Sequence, residues 1–357
     1  MDSQKEEREK GQTMVCNSKE FFTERWHYTI TDLPGRRNFI KNMVKGTSAA
    51  DAAILMVPAD DDFAAAIQGG SPQAGGEGQT RLHARLINLL GVKQLCVCVN
   101  KMDSDPANYA KERYDEVYDK TRRMLIRMGW KKPFVEKSVP MIPISGLQGD
   151  NLIAKSEKMA WWKGQDVTTS KKETCHVETL QQVLNDAFCV PPRPTDAPMR
   201  MPIQGLFKIK GVGDVVSGRV EQGLVKPGEE VVFLPSGASG SVFTVEMHHQ
   251  RQDQAVPGDV VGLNIKGLDK SKMPKAGDVM IYKKDDTLKV VKQFDAQVQI
   301  MDLTQKAGQF KPGFVPTAVV KTAQSPCTVA AIRWKMGKET KGKNVCSACS
   351  VWLVLDP

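Results

Sequence analysis

The sequence predicts an α/β domain built on a mostly parallel sheet and followed by two small β domains, an expectation carried by three observations. Between residue 13 and about residue 188, apolar strand-like runs alternate with amphipathic helical ones, the pattern of strands joined by crossover helices. The segment Val190 to Pro198 then places four prolines in nine residues, which excludes helix and supports an extended linker. Beyond it, short β-type runs are punctuated by Gly and Pro at short intervals, as in β-barrels.

In chain order, strands are expected over Thr13 to Phe22, Trp26 to Thr31, Ala53 to Val57, Leu95 to Val99 and Met141 to Ile144. Helices are expected over Arg37 to Thr47, Thr80 to Leu90 and Ala110 to Met128, the last with Tyr114, Val117, Thr121, Leu125 and Met128 at helical spacing. After the linker, Gln204 to Lys210, Val215 to Val220, Glu230 to Phe233, Val242 to Met247 and Val260 to Ile265 read as barrel strands. A second break near Lys283 to Asp286 precedes a β-rich stretch from Phe294 to Pro357. The expected domains are 1–189, a linker at 190–198, a barrel over 199–286 and a last β domain over 287–357.

The composition is that of an ordinary globular chain, with 41% hydrophobic and 25% charged residues. No apolar run approaches the roughly 18 residues of a membrane-spanning helix, since Ala52 to Ala59 is interrupted by Pro58 and followed by Asp60, Asp61 and Asp62. The charged start MDSQKEEREKG lacks the apolar core of a secretory signal, so the cytosol is the expected compartment. Eight cysteines are too sparse for a disulfide scaffold, and Cys96 and Cys98 fall inside the apolar run LCVCV as reduced core residues. Cys346 and Cys349 form a C-x-x-C that no second cysteine pair or nearby histidine completes as a zinc site. The net charge of +9 favours polyanionic partners.

Three short motifs stand at strand ends, where α/β sheets bind ligands. Asp32-Leu33-Pro34-Gly35 follows the strand HYTIT; an Asp here suits Mg²⁺ held through water, and a Gly amide approaches a γ-phosphate unobstructed. Asn100-Lys101-Met102-Asp103 ends the strand QLCVCV, and the Asp103 carboxylate suits the ring N–H and exocyclic amine of guanine. Adenine would leave that acceptor unpaired. Ser145-Gly146-Leu147 follows MIPIS and offers backbone N–H groups to the guanine carbonyl oxygen. Their order, each at a strand end, points to a guanine-nucleotide site.

The runs KEFFTERWHYTITDLPGRRNFIKNMVKGTSAADAAILMVPAD, GQTRLHARLINLLGVKQLCVCVNKMD and VPMIPISGLQGDNLI resemble the GTPase domain of the eukaryotic elongation factor 1-alpha family, particularly its protist elongation factor-like members. The resemblance continues through PPRPTDAPMRMPIQGLFKIKGVGDVVSGRVEQGLVKPGEEVVFLP and FDAQVQIMDL and covers almost the whole chain. It implies a GTPase domain with a P-loop-type parallel sheet and two β-barrels, binding GTP or GDP with Mg²⁺ and carrying aminoacyl-tRNA to the ribosome. A guanine-nucleotide exchange factor is the further implied partner, with no membrane and no DNA. By that resemblance Thr13 matches a switch threonine on Mg²⁺, Asp32 and Gly35 the second switch, and Asn100, Lys101, Asp103, Ser145, Gly146 and Leu147 the guanine pocket. Arg219, Glu221, Glu246 and His248 resemble the surface that receives the aminoacylated tRNA end. Read without the resemblance, Arg219 and Glu221 form a cross-strand surface pair and His248-His249 a solvated turn.

Three departures qualify the match. The 357 residues contain no G-x-x-x-x-G-K-[ST]; Gly337-Lys338-Glu339-Thr340 lacks the upstream glycine and the hydroxyl directly after Lys, and the Gly-rich stretch Gly69 to Gly78 has no lysine and reads as a mobile loop. Losing about four charge-assisted hydrogen bonds to phosphate at about 1.5 to 3 kcal/mol each costs ~6 to 12 kcal/mol, or at least about 10⁴ in affinity. In the family the loop follows a strand lying between those that end at Asp32 and Pro58, so an incomplete sheet with two open edges is expected. Arg36 stands where the family has a histidine that orients the attacking water; guanidinium accepts no hydrogen bond, so impaired hydrolysis is expected. The end from Asn344 to Pro357 departs from the family, so an incomplete last barrel is expected as well. The alternative reading is a non-hydrolysing module, or a fragment, that binds tRNA or another acidic partner.

Overall fold

The computed structural model describes residues 4–67, 78–296, 298, 310–335 and 345–355. It divides into two compact units, Met1–Pro192 and Arg193–Pro357. Among the described residues no helix is long and apolar enough to cross a membrane.

The first unit opens with helix α1 (Lys5–Lys10) and a hairpin of β1 (Asn17–Phe22) and β2 (His27–Asp32), paired antiparallel from Asn17 opposite Asp32 to Phe22 opposite His27. A 3₁₀ turn over Arg37–Phe39 and α2 (Ile40–Ser48) lead to β3 (Ala52–Pro58), α3 (Asp62–Ile67), α4 (Gln79–Leu89), β4 (Gln94–Asn100), α5 (Lys111–Arg127), α6 (Lys132–Lys137) and β5 (Met141–Pro143). Strands β3, β4 and β5 form a parallel sheet in that order, with Pro58 beside Asn100 and Val99 beside Pro143. All three carboxyl ends therefore finish at one rim. A hairpin of β6 (Gln165–Thr168) and β7 (Thr174–Val177) follows, then α7 (Leu180–Gln182) continuing as a π-helical turn over Val183–Ala187.

The sheet is smaller than the alternating pattern predicts, because the two N-terminal strands do not join it. Residues 23–26 between them are too few for the dozen or so that a parallel crossover needs, so the pair closes on itself as an antiparallel hairpin. The short helices α1, α3 and α6 and the β6–β7 hairpin lie outside the predicted elements, each being too brief to show a period. The longer helix α5 keeps its expected face, burying Tyr114, Val117, Thr121, Met124 and Leu125.

Central strand β4 is buried on both faces, with every residue from Leu95 to Val99 fully enclosed, which is why it reads as a continuous apolar run. Cys96 and Cys98 are there as free thiols. Strand β3 is different: Leu55 and Val57 are buried, while Ile54 and Met56 on its other face are 36% and 48% exposed. Among the described residues β3 pairs only with β4, and β2 only with β1. Both strands thus keep an open edge.

In the second unit, β8 (Met201–Ile209), β9 (Gly213–Arg219), β10 (Glu230–Leu234), β11 (Ala238–Met247), β12 (Gln250–Gln252), β13 (Val260–Lys266) and β14 (Val279–Tyr282) build a barrel. Its order β10-β14-β8-β9-β13-β11 closes through pairing of β10 with β11, and β12 hangs on β11. Met201, Ile203, Val216, Phe233 and Leu263 fill the interior. The chain from Arg193 packs on this barrel, through an Arg193–Asp259 ion pair at 3.6 Å and a Gly223 N–H bond to the Pro194 carbonyl at 2.9 Å. Gly223 has φ of +71°, and a Cβ there would stand 2.5 Å from the Met199 Cα, so only glycine fits. Finally β15 (Gln293–Ala296), β16 (Thr317–Val320), β17 (Ala323–Lys335) and β18 (Val345–Leu355) form an antiparallel sheet in the order β15-β18-β17-β16. The backbone of Cys346 and Cys349 lies in β18; Gly337 to Thr340, and Gly69 to residue 77, lie outside the described residues.

Candidate functional site

The carboxyl rim of the parallel sheet gathers the motifs that follow β4 and β5. Asn100 ends β4, and its Oδ1 accepts a hydrogen bond from the Gly146 N–H at 2.8 Å, which ties the two motif loops together. A Cβ on Gly146 would lie 3.3 Å from that same oxygen, so the close approach favours glycine. Met102 is buried and donates its N–H to the Ile144 carbonyl at 3.2 Å, drawing the turn against the strand before Ser145. Ser145 is buried, its Oγ accepting from the Gln148 N–H at 3.0 Å. Gly146 and Leu147 are exposed, and Asp103 is half-buried.

Lys101 sits in the left-handed region at φ of +65°, an uncommon conformation for a side-chain-bearing residue that recurs at functional turns. Its Nζ pairs with Asp60 and lies 3.5 Å from Asp62, both beyond the end of β3. The Asp60 hydrogen bond is the main reason the Lys101 ammonium is held above its ordinary pKa, so it stays charged. Arg113 on α5 fixes that neighbouring loop, donating from Nε to the Ala59 carbonyl at 2.8 Å and from Nη2 to the Asp60 carbonyl at 2.9 Å. Sequence reasoning missed this acidic partner; the signal was the run Asp60-Asp61-Asp62 immediately after a strand end.

A second cluster gathers at the amino end of the chain. Thr13 Oγ1 donates to Asp32 Oδ2 at 3.4 Å, so hydroxyl and carboxylate meet at the end of β2. The placement of Thr13 rests on Glu7, a fully buried carboxylate that accepts the Met14 N–H at 2.8 Å, the Val15 N–H at 3.0 Å and the Gln4 N–H at 3.0 Å. An acidic residue buried so completely requires such donors. A hydroxyl and a carboxylate oxygen are the hard donors that Mg²⁺ takes, so the pair fits that ion. Gly35 and Arg36 are exposed directly after it, with Arg36 leading into the 3₁₀ turn.

On the barrel, Arg219 and Glu221 pair at 3.5 Å along one stretch of chain; the cross-strand neighbour of Arg219 is Val260, so the cross-strand expectation is corrected. Two residues apart, with the strand ending between them, these side chains reach each other along the backbone. Lys321 joins Glu221 at 3.2 Å. Glu246 is exposed on β11 opposite Arg251. His248 and His249 form the β11–β12 turn at φ of +50° and +62°.

Comparison with known proteins bears on these clusters. Residues 1–188 match the family model described as the elongation factor Tu GTP binding domain, and residues 213–281 match elongation factor Tu domain 2. Elongation factor 1-alpha of Tetrahymena pyriformis is 40% identical over 341 residues, spanning 95% of this chain and 72% of that protein. The counterpart from Onchocerca volvulus is 40% identical over 346 residues, spanning 97% of this chain and 71% of that protein. Among solved structures, a bacterial selenocysteine-specific elongation factor superposes with a TM-score of 0.69 at 19% identity, over 100% of this chain and 49% of that one. Translation elongation factor SelB from Methanococcus maripaludis gives 0.67 at 21% identity, over 97% and 67% of the two chains. The superpositions speak to fold alone.

Proposed function

The chain belongs to the elongation factor family of GTP-binding translation factors, and from that premise we propose that it serves guanine-nucleotide-dependent delivery of aminoacyl-tRNA to the ribosome, with an exchange factor as a further partner. The observation that carries this reading is the Asn100–Gly146 hydrogen bond, which brings the N-K-x-D and S-G motifs to one rim of the sheet. There Asp103 accepts from the guanine N1–H and 2-amine and the Leu147 N–H faces the base carbonyl, the Ser145 and Gly146 N–H groups being taken by the Asp150 carbonyl and Asn100 Oδ1. Adenine leaves the Asp103 acceptor without a partner, a costly arrangement once water is excluded.

Thr13 and Asp32 are the residues that would hold Mg²⁺, and the ion supplies charge neutralisation for the phosphates when bound. The pattern G-x-x-x-x-G-K-[ST] does not occur within the 357 residues. Arg36 offers positive charge to a phosphate but no acceptor to a water, so hydrolysis is slow. On the barrel, Arg219, Glu221, Glu246 and His248 form the surface for the aminoacylated end of tRNA. A second reading, a non-hydrolysing module that binds tRNA, is favoured by Arg36.

The test is binding of a fluorescent GDP analogue with Mg²⁺ to the purified 357-residue chain, competed by GDP and by ADP. Competition by GDP alone supports the guanine site. Absence of binding by a folded chain leaves the second reading, which tRNA binding then tests.

A further inference from the structure

The two base-recognition loops share a second fastening besides the Asn100–Gly146 bond. Asp150 closes the loop that begins at Ser145, its carbonyl accepting the Ser145 N–H at 3.2 Å while the Gly149 N–H bonds to the Ser145 carbonyl at 2.9 Å. Its carboxylate, only 12% exposed, receives three donors: Ser156 Oγ at 2.7 Å, Tyr109 OH at 3.0 Å and Lys158 Nζ at 3.4 Å. Burial pushes the Asp150 carboxyl up, but those donors and the Lys158 charge outweigh it and hold the group below its ordinary range.

Tyr109 belongs to the other loop. Its N–H donates to the Met102 carbonyl at 2.7 Å, its own carbonyl accepts from Trp161 Nε1 at 2.8 Å, and its backbone is left-handed at φ of +57° beside Asn108 at +41°. Lys158 Nζ also stands 3.1 Å from the phenol oxygen and 4.9 Å from the ring centre. A continuous path therefore runs from Met102 through the Tyr109 backbone and hydroxyl to Asp150 and back to Ser145. With the Met102–Ile144 bond at the base of the loops and the Asn100–Gly146 bond, this path adds a fastening at a separate point and so opposes rotation of one loop against the other.

We propose that Asp150, gripped by Tyr109, Ser156 and Lys158, is a positioning residue that fixes the Ser145–Leu147 loop relative to the Asn100–Asp103 turn and thereby sharpens selection of guanine. The selectivity half of this rests on the guanine-site reading above. Adenine is rejected only if Asp103 and the loop amides cannot shift apart to spare an unpaired acceptor, so loosening the grip lowers discrimination more than affinity.

The experiment uses the 357-residue chain, with Tyr109→Phe removing only the hydroxyl and Lys158→Met, at a half-exposed position, as the variant with the smaller expected effect on stability. Hydrogen exchange by mass spectrometry is expected to accelerate about five- to tenfold over residues 145–150 in Tyr109→Phe and about twofold in Lys158→Met, with β4 unchanged. Competition of the fluorescent GDP analogue is expected to show the GDP-over-ADP preference falling about tenfold in Tyr109→Phe, an effect that a simple loss of stability does not produce. Unchanged exchange in both variants overturns the fastening. Faster exchange with an unchanged preference overturns its role in selectivity. If the parent chain binds no GDP, the guanine reading fails, and the exchange result alone decides the fastening.

Discussion

The two faces of β3 differ so sharply that one pair of substitutions tests the architecture of the nucleotide domain. In a parallel sheet covered on both faces, neighbouring residues of a strand are equally costly to alter. Here Val57 is fully enclosed, whereas Met56 is 48% exposed. Val57→Ala removes two methyl groups from a filled core, which costs about 2 to 3 kcal/mol including the void left behind. Met56→Glu forfeits only the buried half of a side chain that is worth about 1.5 to 3 kcal/mol when fully covered, so it costs about 1 kcal/mol, and the carboxylate stays in water. The charge also blunts an open edge against self-pairing. Urea titration followed by tryptophan fluorescence reads both costs, and sedimentation velocity reads association. The expected order is Val57→Ala well below Met56→Glu in stability, with Met56→Glu less self-associated than the parent. A loss above about 3 kcal/mol for Met56→Glu would refute the reasoning, because it would mean that the face carrying Met56 is covered in solution.

Further outcomes follow from the same geometry. Glu7→Gln sets an amide N–H against a backbone N–H that Glu7 now accepts, so it should cost about 1 to 3 kcal/mol and speed tryptic cleavage after Arg8 and Lys10; an unchanged cleavage rate would count against Glu7 as the organiser of this segment. Asp285 is held at about 2 by Arg200 and Thr287, below its ordinary 3.8, so the stability it adds is complete above about pH 4 and fades as pH falls towards about 2. The shift corresponds to about 2 kcal/mol at face value and about 1 kcal/mol once solvent screening is allowed for, and thermal melting of Asp285→Asn against the parent at pH 6 and pH 2.5 should show that difference shrink to about a third in acid. Binding of tRNA should weaken steeply between about 50 mM and about 200 mM salt, as phosphate contact requires, and a flat response in a filter assay would argue against a phosphate-dominated interface.

How far the sequence discloses the molecule depends on how local each signal is. The continuous apolar run of β4 and the helical spacing from Tyr114 to Leu125 are local, and both elements stand where the pattern puts them. Asn100 and Ser145 are legible for the same reason, since each follows a buried strand directly. The expected gap between the strands ending at Asp32 and Pro58 is present among the described residues, with β1 and β2 paired to each other apart from the parallel sheet. The four-residue connection at 23–26 fixes their antiparallel pairing. Contacts between distant stretches were invisible: Lys101 finds Asp60 across 41 positions, and Tyr109 finds Asp150 across the same separation. No period or motif spacing announces such pairs.

These differences in support divide the candidate site into halves of unequal stiffness. Asn100 ends β4 and Ser145 lies two residues beyond β5, strands whose apolar side chains are enclosed, and Asn100–Gly146 and Tyr109–Asp150 brace them further. Asp32 ends a two-stranded sheet that has no third strand among the described residues, and such pairs are marginal in water. At the far end of the hairpin Tyr28 OH donates to the Leu184 carbonyl at 2.5 Å and Trp26 Nε1 to the Asn185 carbonyl at 3.1 Å. Those anchors sit near the turn, while Thr13 and Asp32 lie at the opposite end, where Glu7 supplies the ordering. Segments with few buried contacts open first, so amide exchange is expected to be faster at the end of β2 than over β4. On the proposed reading, a ligand that engages both clusters orders the less supported one at an entropic cost.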